Sequence, residues 1–389
     1  MTVGPPTWSE AATGRTFEAE AGLDPPVRGT DRVWWSAEAT TSSEPGPVAD
    51  AAVLAVVAPA MAIGLDVEVV GAPVTAGLLA GIEETQRAWS QWRGWTPVAV
   101  RAEEAPAAPR SGGAVLAYSG GVDSSYTAWR HLTGAAGPQR APIDAAVFVA
   151  GFDIPVDHRS LGAAKARIAP PLEDRGLPVI TAATNVRDLH DDWQAYHGFA
   201  LASLLTFVGG AQSIGLIAAT DTYERPVLGW GSNAITDPLL GSRAFAIRHD
   251  GAVDRLSKVR SLGEWPDLVE RLRFCWAGTE HDRNCGQCLK CVTTAMMLVV
   301  LDLPTSCFDR FPDDDTICAV LKASPAHGFT ATYNQPILDA AVEQGLDAPW
   351  VPALRTRLRR ARYGPAVDTL TAPVRRRLPA SFPFHEPAR

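Results

Sequence analysis

Residues 114–125 read AVLAYSGGVDSS, and this stretch decides the fold. The apolar run Ala114–Tyr118 predicts a strand that is buried on both faces. A glycine pair, Gly120-Gly121, follows it, and a helix is expected from about Ser124. The glycines let the backbone turn tightly, so that the amides of the turn and of the helix N-terminus converge on one point. Because the helix dipole adds positive charge there, the segment favours an anion such as pyrophosphate.

The side chains of the same turn add groups that suit a phosphate and its metal ion. The hydroxyls of Ser119 and Ser124 can donate to phosphate oxygens, and Asp123 can hold Mg²⁺, since hard cations prefer carboxylate oxygen. A plain strand–turn–helix connection is the alternative interpretation. We favour phosphate binding because the whole pattern lies between a strand and a helix. The candidate nucleotide-binding residues are Ser119, Gly120, Gly121, Val122, Asp123, Ser124 and Ser125.

The chain beyond this turn alternates between strands and helices. The expected elements are strands at 145–149, 178–182 and 216–219, and helices at 160–175 and 191–209. Such alternation over about 100 residues predicts an α/β fold, an open parallel sheet with helices on both faces. Ligands of such sheets bind outside the carboxyl ends of the strands. Asp153, which follows the second strand, is therefore a further candidate.

The flanking regions have different compositions. Residues 1–47 are rich in Pro, Gly, Thr and Glu, and we expect them to be loop-rich, with a strand at 32–37 alone. Residues 48–105 predict a small α/β module, whose role is open between substrate recognition and the formation of a homodimer. We place the nucleotide-binding domain at 106–300 and a helical C-terminal region at 301–389, which includes an arginine run at 375–377.

A cysteine cluster lies late in the predicted nucleotide-binding domain, where residues 275–291 read CWAGTEHDRNCGQCLKC. Cys275, Cys285, Cys288 and Cys291 are the ligands that a tetrahedral Zn²⁺ site uses. An iron–sulfur cluster also takes four cysteines, and free or redox-active thiols are a further alternative. We favour zinc, in a closed site whose role is structural.

Both motifs resemble those of a known family. SGGVDS at residues 119–124 resembles the PP-loop of the N-type ATP pyrophosphatase superfamily, the adenine nucleotide alpha hydrolase-like proteins. The cysteine run resembles the zinc knuckle of 7-cyano-7-deazaguanine synthase, and the order of the two motifs is the same. The match departs at residues 292–294, which read VTT where that family has an arginine, so we do not carry over its substrate. Over most of residues 30–300 the chain is also similar to PP-loop proteins with an N-terminal module and a late NCGxCxKC.

The resemblance implies a set of further site residues. The loop-like stretch 229–243, with Ser232 and Asp237, would close the substrate pocket, although a simple turn would have the same composition. Lys258 would approach the phosphates; a solvated cation at a helix start is the plain alternative. Asp153 would lie near the adenine and ribose. The catalytic residues implied are Ser119, Asp123 and Lys258.

The resemblance also implies an activity. Mg-ATP would be cleaved between its α- and β-phosphates, and the AMP placed on a substrate oxygen would be displaced by a nitrogen nucleophile. The first alternative is a sulfurtransferase in which Cys307 or Cys318 carries a persulfide, although we favour for both cysteines the role of a small buried hydrophobe. The second is a regulator that binds nucleotide without turnover. The expected cofactors are ATP, Mg²⁺ and Zn²⁺, and the partners are a small-molecule substrate and an ammonia or sulfur donor.

Charge and hydropathy exclude other classes of protein. The 389 residues carry a net charge of −8, which disfavours a nucleic-acid binder because phosphate neutralisation needs surplus cations. The longest uncharged apolar stretch, residues 51–65, is shorter than the roughly 20 residues that span a bilayer. The N-terminus has no apolar signal region, so we expect a cytoplasmic protein with no membrane partner.

Overall fold

The computed structural model describes residues 1–10, 16–39, 45–106, 110, 112–324 and 328–361. The strands are β1 (Thr2–Val3), β2 (Thr7–Glu10), β3 (Thr16–Val27), β4 (Thr30–Glu38), β5 (Val67–Val69), β6 (Val74–Thr75), β7 (Val100–Arg101), β8 (Glu104–Ala105), β9 (Ala114–Ala117), β10 (Ile143–Ala150), β11 (Val179–Thr184), β12 (Ile214–Ala218) and β13 (Ala246–Asp250). The helices are α1 (Val48–Ile63), α2 (Ala76–Arg93), α3 (Val122–Thr133), α4 (Leu161–Ile168), α5 (Pro170–Glu173), α6 (Trp193–Val208), α7 (Arg255–Leu262), α8 (Pro266–Glu270), α9 (Leu289–Val300), α10 (Asp314–Ala323) and α11 (Gly328–Glu343), and residues 350–361 are also helical. Short 3-10 segments cover Gly137–Gln139, Val186–Leu189 and Asp237–Leu240.

A large sheet organises these elements. Eleven of the described strands form it in the order β13-β12-β9-β10-β11-β4-β3-β1-β5-β7, with β2 added on β3. The five strands from β9 to β13 are parallel, so the predicted mostly parallel sheet with flanking helices is confirmed. The chain moves from β9 outward to β11 and then returns to the other side of β9 with β12. The loops after β9 and β12 therefore border the crevice where open α/β sheets bind ligands.

The expectation that residues 1–47 are loop-rich is wrong for most of the described residues there. β3 and β4 form a long antiparallel pair, and β4 pairs in turn with β11 of the parallel sheet. From Phe17 to Leu23 every second residue of β3 is buried, namely Phe17, Ala19, Ala21 and Leu23. Because two of these four inward positions are alanine, the alternation is weak in hydropathy although it is regular in space. The N-terminal strands thus extend the predicted sheet.

Helices α1 and α6 form the centre of the core against this sheet. Most of α1 is buried, as expected for the apolar stretch that contains Pro59. The Trp35 indole donates to Ser203 Oγ at 3.1 Å, and Ser203 Oγ donates to the Ala51 carbonyl at 2.7 Å. These bonds join β4, α6 and α1 in one buried row. Among the described residues, no helix combines the length and the hydropathy that crossing a membrane requires.

The chain divides into two compact units. The first contains Met1–Cys285 and Leu303–Asp309, and the second contains Gly286–Asp302 and Arg310–Arg389. In the second unit α9 packs against both α10 and α11, and Arg357 donates to the carbonyls of Leu321 and Ser324 at 3.1 and 2.6 Å. The arginine run 375–377 of the predicted helical region lies outside the described residues.

Candidate functional site

The glycine turn joins β9 to α3 in a conformation that requires glycine. Gly120 has φ +73°, a backbone conformation that side chains other than glycine rarely adopt. A Cβ there would lie 2.4 Å from Ile168 Cγ2. Gly121 is extended and precedes the first helical residue, Val122. The predicted strand, turn and helix are therefore all present, and the turn packs closely on α4.

Weak internal hydrogen bonds hold the polar groups of this turn. Ser119 Oγ lies 3.3 Å from Ser124 Oγ, and it accepts from the Gly121 amide at 3.3 Å. The Ser119 amide donates to Ser124 Oγ at the same distance. Distances of 3.3 Å are beyond the usual range for such bonds, so these groups can exchange their partners for the oxygens of an anion at small cost.

Asp123, in the first turn of α3, is held by two cations from α7. Arg255 Nη2 donates to its Oδ2 at 2.5 Å and Lys258 Nζ donates to its Oδ1 at 2.8 Å. Burial by itself would raise the pKa of Asp123, but the charges of Arg255 and Lys258 outweigh it and lower the pKa to about 2. Burial also lowers the pKa of Lys258, and Asp123 opposes that shift.

Helix α7 places both cations on one face. Asp254 caps the helix, since its side chain accepts from the Ser257 amide at 2.9 Å. Arg255 and Lys258 are three residues apart, which brings side chains of one helix together. Lys258 is fully buried and also donates to the carbonyl of Ala219, after β12. The sequence interpretation missed Arg255, for which the spacing from Lys258 was the available signal.

Asp123 fits a magnesium ion only after a rearrangement, because both carboxylate oxygens are engaged by cations. An ion bound there would displace Arg255 or Lys258, and the released cation would be free to meet phosphate. The magnesium role of Asp123 remains a prediction.

Ser232 and Asp237 belong to a buried network beside β13. Ser232 Oγ donates to Asp237 Oδ2 at 2.6 Å, and His249 Nδ1 lies 2.8 Å from the same oxygen. The Asn233 amide donates to Asp237 Oδ1 at 3.0 Å. Asp237 has no exposed surface. In the structure these groups fix the loop after β12 to β13, and the nucleotide contact of Ser232 and Asp237 stays a prediction.

Arg273 links the glycine turn to the segment that carries the first cysteine. Its amide donates to the Gly120 carbonyl at 2.8 Å, and its Nη1 donates to the Ser119 carbonyl at 3.2 Å. Burial lowers the pKa of Arg273, whereas the nearby Asp153 raises it. The exposed Asp153 therefore lies at the carboxyl end of β10 beside this segment, as predicted. Arg273 itself had no motif that would reveal it.

The four cysteines of the predicted zinc site come together. The sulfurs of Cys275, Cys285, Cys288 and Cys291 all lie within 4.8 Å of one another. Tetrahedral Zn–S bonds of about 2.3 Å place the sulfurs about 3.8 Å apart, so the cluster fits a metal ion such as zinc after a small contraction. Gly286, directly after Cys285, has φ +69°, a conformation that glycine adopts readily and that allows a tight turn there.

Asn284 organises the backbone beside the first cysteine. Its Oδ1 accepts from the amides of Phe274 and Cys275 at 3.0 and 3.2 Å. Its Nδ2 donates to the carbonyls of Leu272 and Cys307 at 2.8 and 2.9 Å. One buried side chain thus satisfies four backbone groups around the metal-binding segment.

The two remaining cysteines are poor candidates for sulfur transfer. Burial raises the pKa of the Cys307 thiol to about 12, and burial also raises the pKa of Cys318. Since the thiolate is the nucleophile, these shifts disfavour reactivity of both thiols, most strongly that of the buried Cys307. Cys307 therefore fits the alternative role of a small buried hydrophobe.

Two cavities lie on the N-terminal strands. One of about 480 Å³ includes Arg28, Arg187 and Trp193, and one of about 530 Å³ includes Trp8 and Trp34. Neither is lined by a residue of the glycine turn. The polar groups that converge at the carboxyl edge of the parallel sheet therefore mark the stronger candidate site.

Comparisons with known proteins found no match for the chain. No family model, no curated protein and no solved structure matches it. The functional assignment therefore depends on the geometry of the glycine turn, its cations and the cysteine segment.

Proposed function

We propose that the protein is an ATP-dependent synthetase that releases AMP and pyrophosphate while it joins nitrogen to a small-molecule substrate. One observation carries the proposal: the SGGVDS turn lies where the strand order reverses, and the buried Lys258 and the partly buried Arg255 of α7 meet Asp123 at its edge. Positive charge, weakly bonded hydroxyls and helix amides at one point suit a polyphosphate.

Each group has a role in this reaction. Ser119, Gly120, Gly121 and Ser124 bind the β- and γ-phosphates. Lys258 and Arg255 neutralise the charge that develops on the departing pyrophosphate, and Asp123 holds the magnesium ion. Catalysis depends on positioning and on electrostatic stabilisation of the transition state.

The chemistry balances in two steps. A carboxyl or amide oxygen of the substrate attacks the α-phosphorus; the new O–P bond forms as the bond to the bridging oxygen breaks, and pyrophosphate leaves with the electron pair. Ammonia or an amine then attacks the activated carbon. The C–N bond forms, AMP leaves with the C–O electron pair, and the nitrogen loses a proton to solvent. The cysteine cluster, with zinc bound, would stabilise the fold next to the glycine turn.

The test is the product pattern from ATP. The full chain is incubated with Mg-ATP, ammonium and a small-molecule extract of the source cells, and AMP and pyrophosphate are measured. We expect Ser119→Ala to reduce their formation about 10²-fold, the loss typical of removing one transition-state donor. Gly120→Ala should abolish it, because its Cβ would collide with Ile168.

Gly134→Ala is the matched control. Gly134 ends the same helix with φ +88°, and a Cβ there would meet nothing within 4 Å. Gly134→Ala introduces the strain of a positive φ without a steric clash, so we expect this variant to keep ATP turnover. ADP as the only product would refute the proposal. Dependence on sulfide rather than ammonium would select the sulfurtransferase, and tight ATP binding without AMP in every mixture would select the regulator.

A further inference from the structure

Three buried polar atoms without hydrogen-bond partners lie on one short segment between α8 and the knuckle. They are Arg273 Nη2, His281 Nδ1 and Asp282 Oδ1. Buried polar groups in folded proteins are almost always paired, because an unpaired group has lost water and gained nothing. Three such atoms in one place, within the described part of the chain, indicate a space that a polar ligand fills.

Contacts show that these groups form one cluster. Arg273 Nε donates to the His281 carbonyl, which fixes the guanidinium beside the histidine. The rings of His281 and His158 meet edge to face, with centroids 4.6 Å apart. Burial lowers the pKa of both Arg273 and His281; the charge of Asp153 opposes both shifts, and the charge of Asp282 opposes that of Arg273. The loop after β10 and the segment 273–282 therefore face one another.

The cluster adjoins the glycine turn. The same Arg273 that leaves Nη2 unpaired donates its Nη1 and its amide to the carbonyls of Ser119 and Gly120. Arg273 is only 3% exposed, so its orientation is fixed by packing. A ligand bound to Arg273 Nη2 would therefore lie next to the glycine turn, because the same guanidinium contacts both.

The three atoms define the chemistry of that ligand. Arg273 Nη2 is a donor and requires an oxygen acceptor. Asp282 Oδ1 is an acceptor and requires a donor such as an N–H group, while His281 Nδ1 takes either role according to its tautomer. A carboxylate alone satisfies Arg273 but is repelled by Asp282. A group with an oxygen next to an N–H satisfies both.

We propose that Arg273, His281 and Asp282 form a subsite for the acceptor substrate and bind an amide-type group through its oxygen and its N–H. This rests on the proposed function, because it assigns the acceptor's place beside the nucleotide turn. The acceptor is then a small molecule whose carbonyl oxygen neighbours an N–H, as in a primary carboxamide or a cyclic amide.

Fragment binding tests the subsite without requiring ATP turnover. The zinc-loaded full chain, labelled in its histidine rings, is titrated with acetamide and with acetate, and the His281 signal, identified by its loss in His281→Gln, is followed by NMR. We expect acetamide to bind about tenfold more tightly than acetate, because Asp282 accepts from the amide and repels the carboxylate.

Variants separate recognition from folding. Asp282→Asn should bring the ratio of the two dissociation constants close to one, whereas a damaged fold would weaken both fragments equally. Arg273→Met should weaken both, and the control Arg271→Met, an exposed arginine two residues earlier, should change neither. Equal affinities in the natural chain, or an unchanged ratio in Asp282→Asn, would overturn the subsite. AMP formation in the same preparations reports separately on the proposed function.

Discussion

Asp123 joins α3 to α7 through one carboxylate and two cations, and its charge state therefore affects stability. Its folded-state pKa of about 2 lies below the ordinary value of 3.8. The ion pairs thus stabilise the folded chain above pH 3.8, and this contribution disappears as the pH falls from 3.8 toward 2. The contribution at neutral pH is about 2 kcal/mol, since one unit of pKa corresponds to about 1.4 kcal/mol.

We therefore predict that Asp123→Asn lowers the free energy of unfolding by about 2 kcal/mol at pH 7, and that the gap to the natural chain narrows below pH 4. Urea unfolding followed by circular dichroism at a series of pH values measures it. The control is Asp267→Asn, since Asp267 is an exposed acid on α8. If the difference in unfolding free energy between Asp123→Asn and the natural chain stayed constant at the lowest pH measured, the stabilising role of the ion pairs would be contradicted.

At the scale of residues, the glycine turn could be predicted from the sequence, but the distant residues that contact it could not. The turn at residues 119–124 carries its chemistry in adjacent positions, so its strand, turn and helix could be predicted. Arg273 acts through backbone carbonyls of Ser119 and Gly120, more than 150 positions earlier, and such contacts leave no pattern in sequence. Asp237 had the expected residue type, but its burial with His249 depends on the packing of β13.

At the scale of elements, the cysteine segment and the glycine turn share a backbone connection. Asn284 holds the amides of Phe274 and Cys275, and the next residue back, Arg273, donates its amide to Gly120. A metal ion on Cys275 would help to keep this segment in place, because it would join Cys275 to the other three cysteines and offset the repulsion between their thiolates. The metal site should therefore stabilise the predicted nucleotide turn.

We predict that removing the metal with a chelator increases hydrogen exchange of the amides of residues 273–275 at least about tenfold, which corresponds to about 1.4 kcal/mol of local stability. Mass spectrometry of peptic peptides measures the exchange. The amides of β10 are the internal control, because they belong to the centre of the parallel sheet. If the amides of residues 273–275 exchanged at the same rate after complete removal of the metal, the proposed link between the metal site and the glycine turn would be contradicted.

The elements of the N-terminal region show why composition can mislead. The proline and glycine content of residues 1–47 suggested loops, yet β3 and β4 form a long antiparallel pair there. The buried side of β3 uses Ala19 and Ala21, which carry little hydropathy signal. These small side chains are selected by the close packing of α1, a tertiary effect that a window of sequence does not contain.

At the scale of the molecule, the antiparallel strands and the parallel sheet are one structure within the first compact unit. β4 pairs with β11, and the Asn185 side chain extends this pairing by accepting from the Trp34 amide at 2.9 Å and donating to the Arg32 carbonyl at 2.8 Å. Glu38 adds a further bond, since its carboxylate accepts from the Thr181 amide at 2.7 Å. Unfolding of the N-terminal strands would therefore expose the edge of the parallel sheet.

This continuity predicts that damage to β4 unfolds the parallel sheet as well. Trp35 is fully buried between β4 and α6, so Trp35→Ala should lower the free energy of unfolding by about 3–5 kcal/mol. Trp8→Ala is the control, because Trp8 is 47% exposed on β2 and should change it by less than about 1 kcal/mol. Hydrogen exchange during urea unfolding would follow β3 and β10 separately. We expect both strands to lose protection at the same, lower urea concentration in Trp35→Ala, whereas a shift confined to β3 would mean that the N-terminal strands fold independently of the parallel sheet.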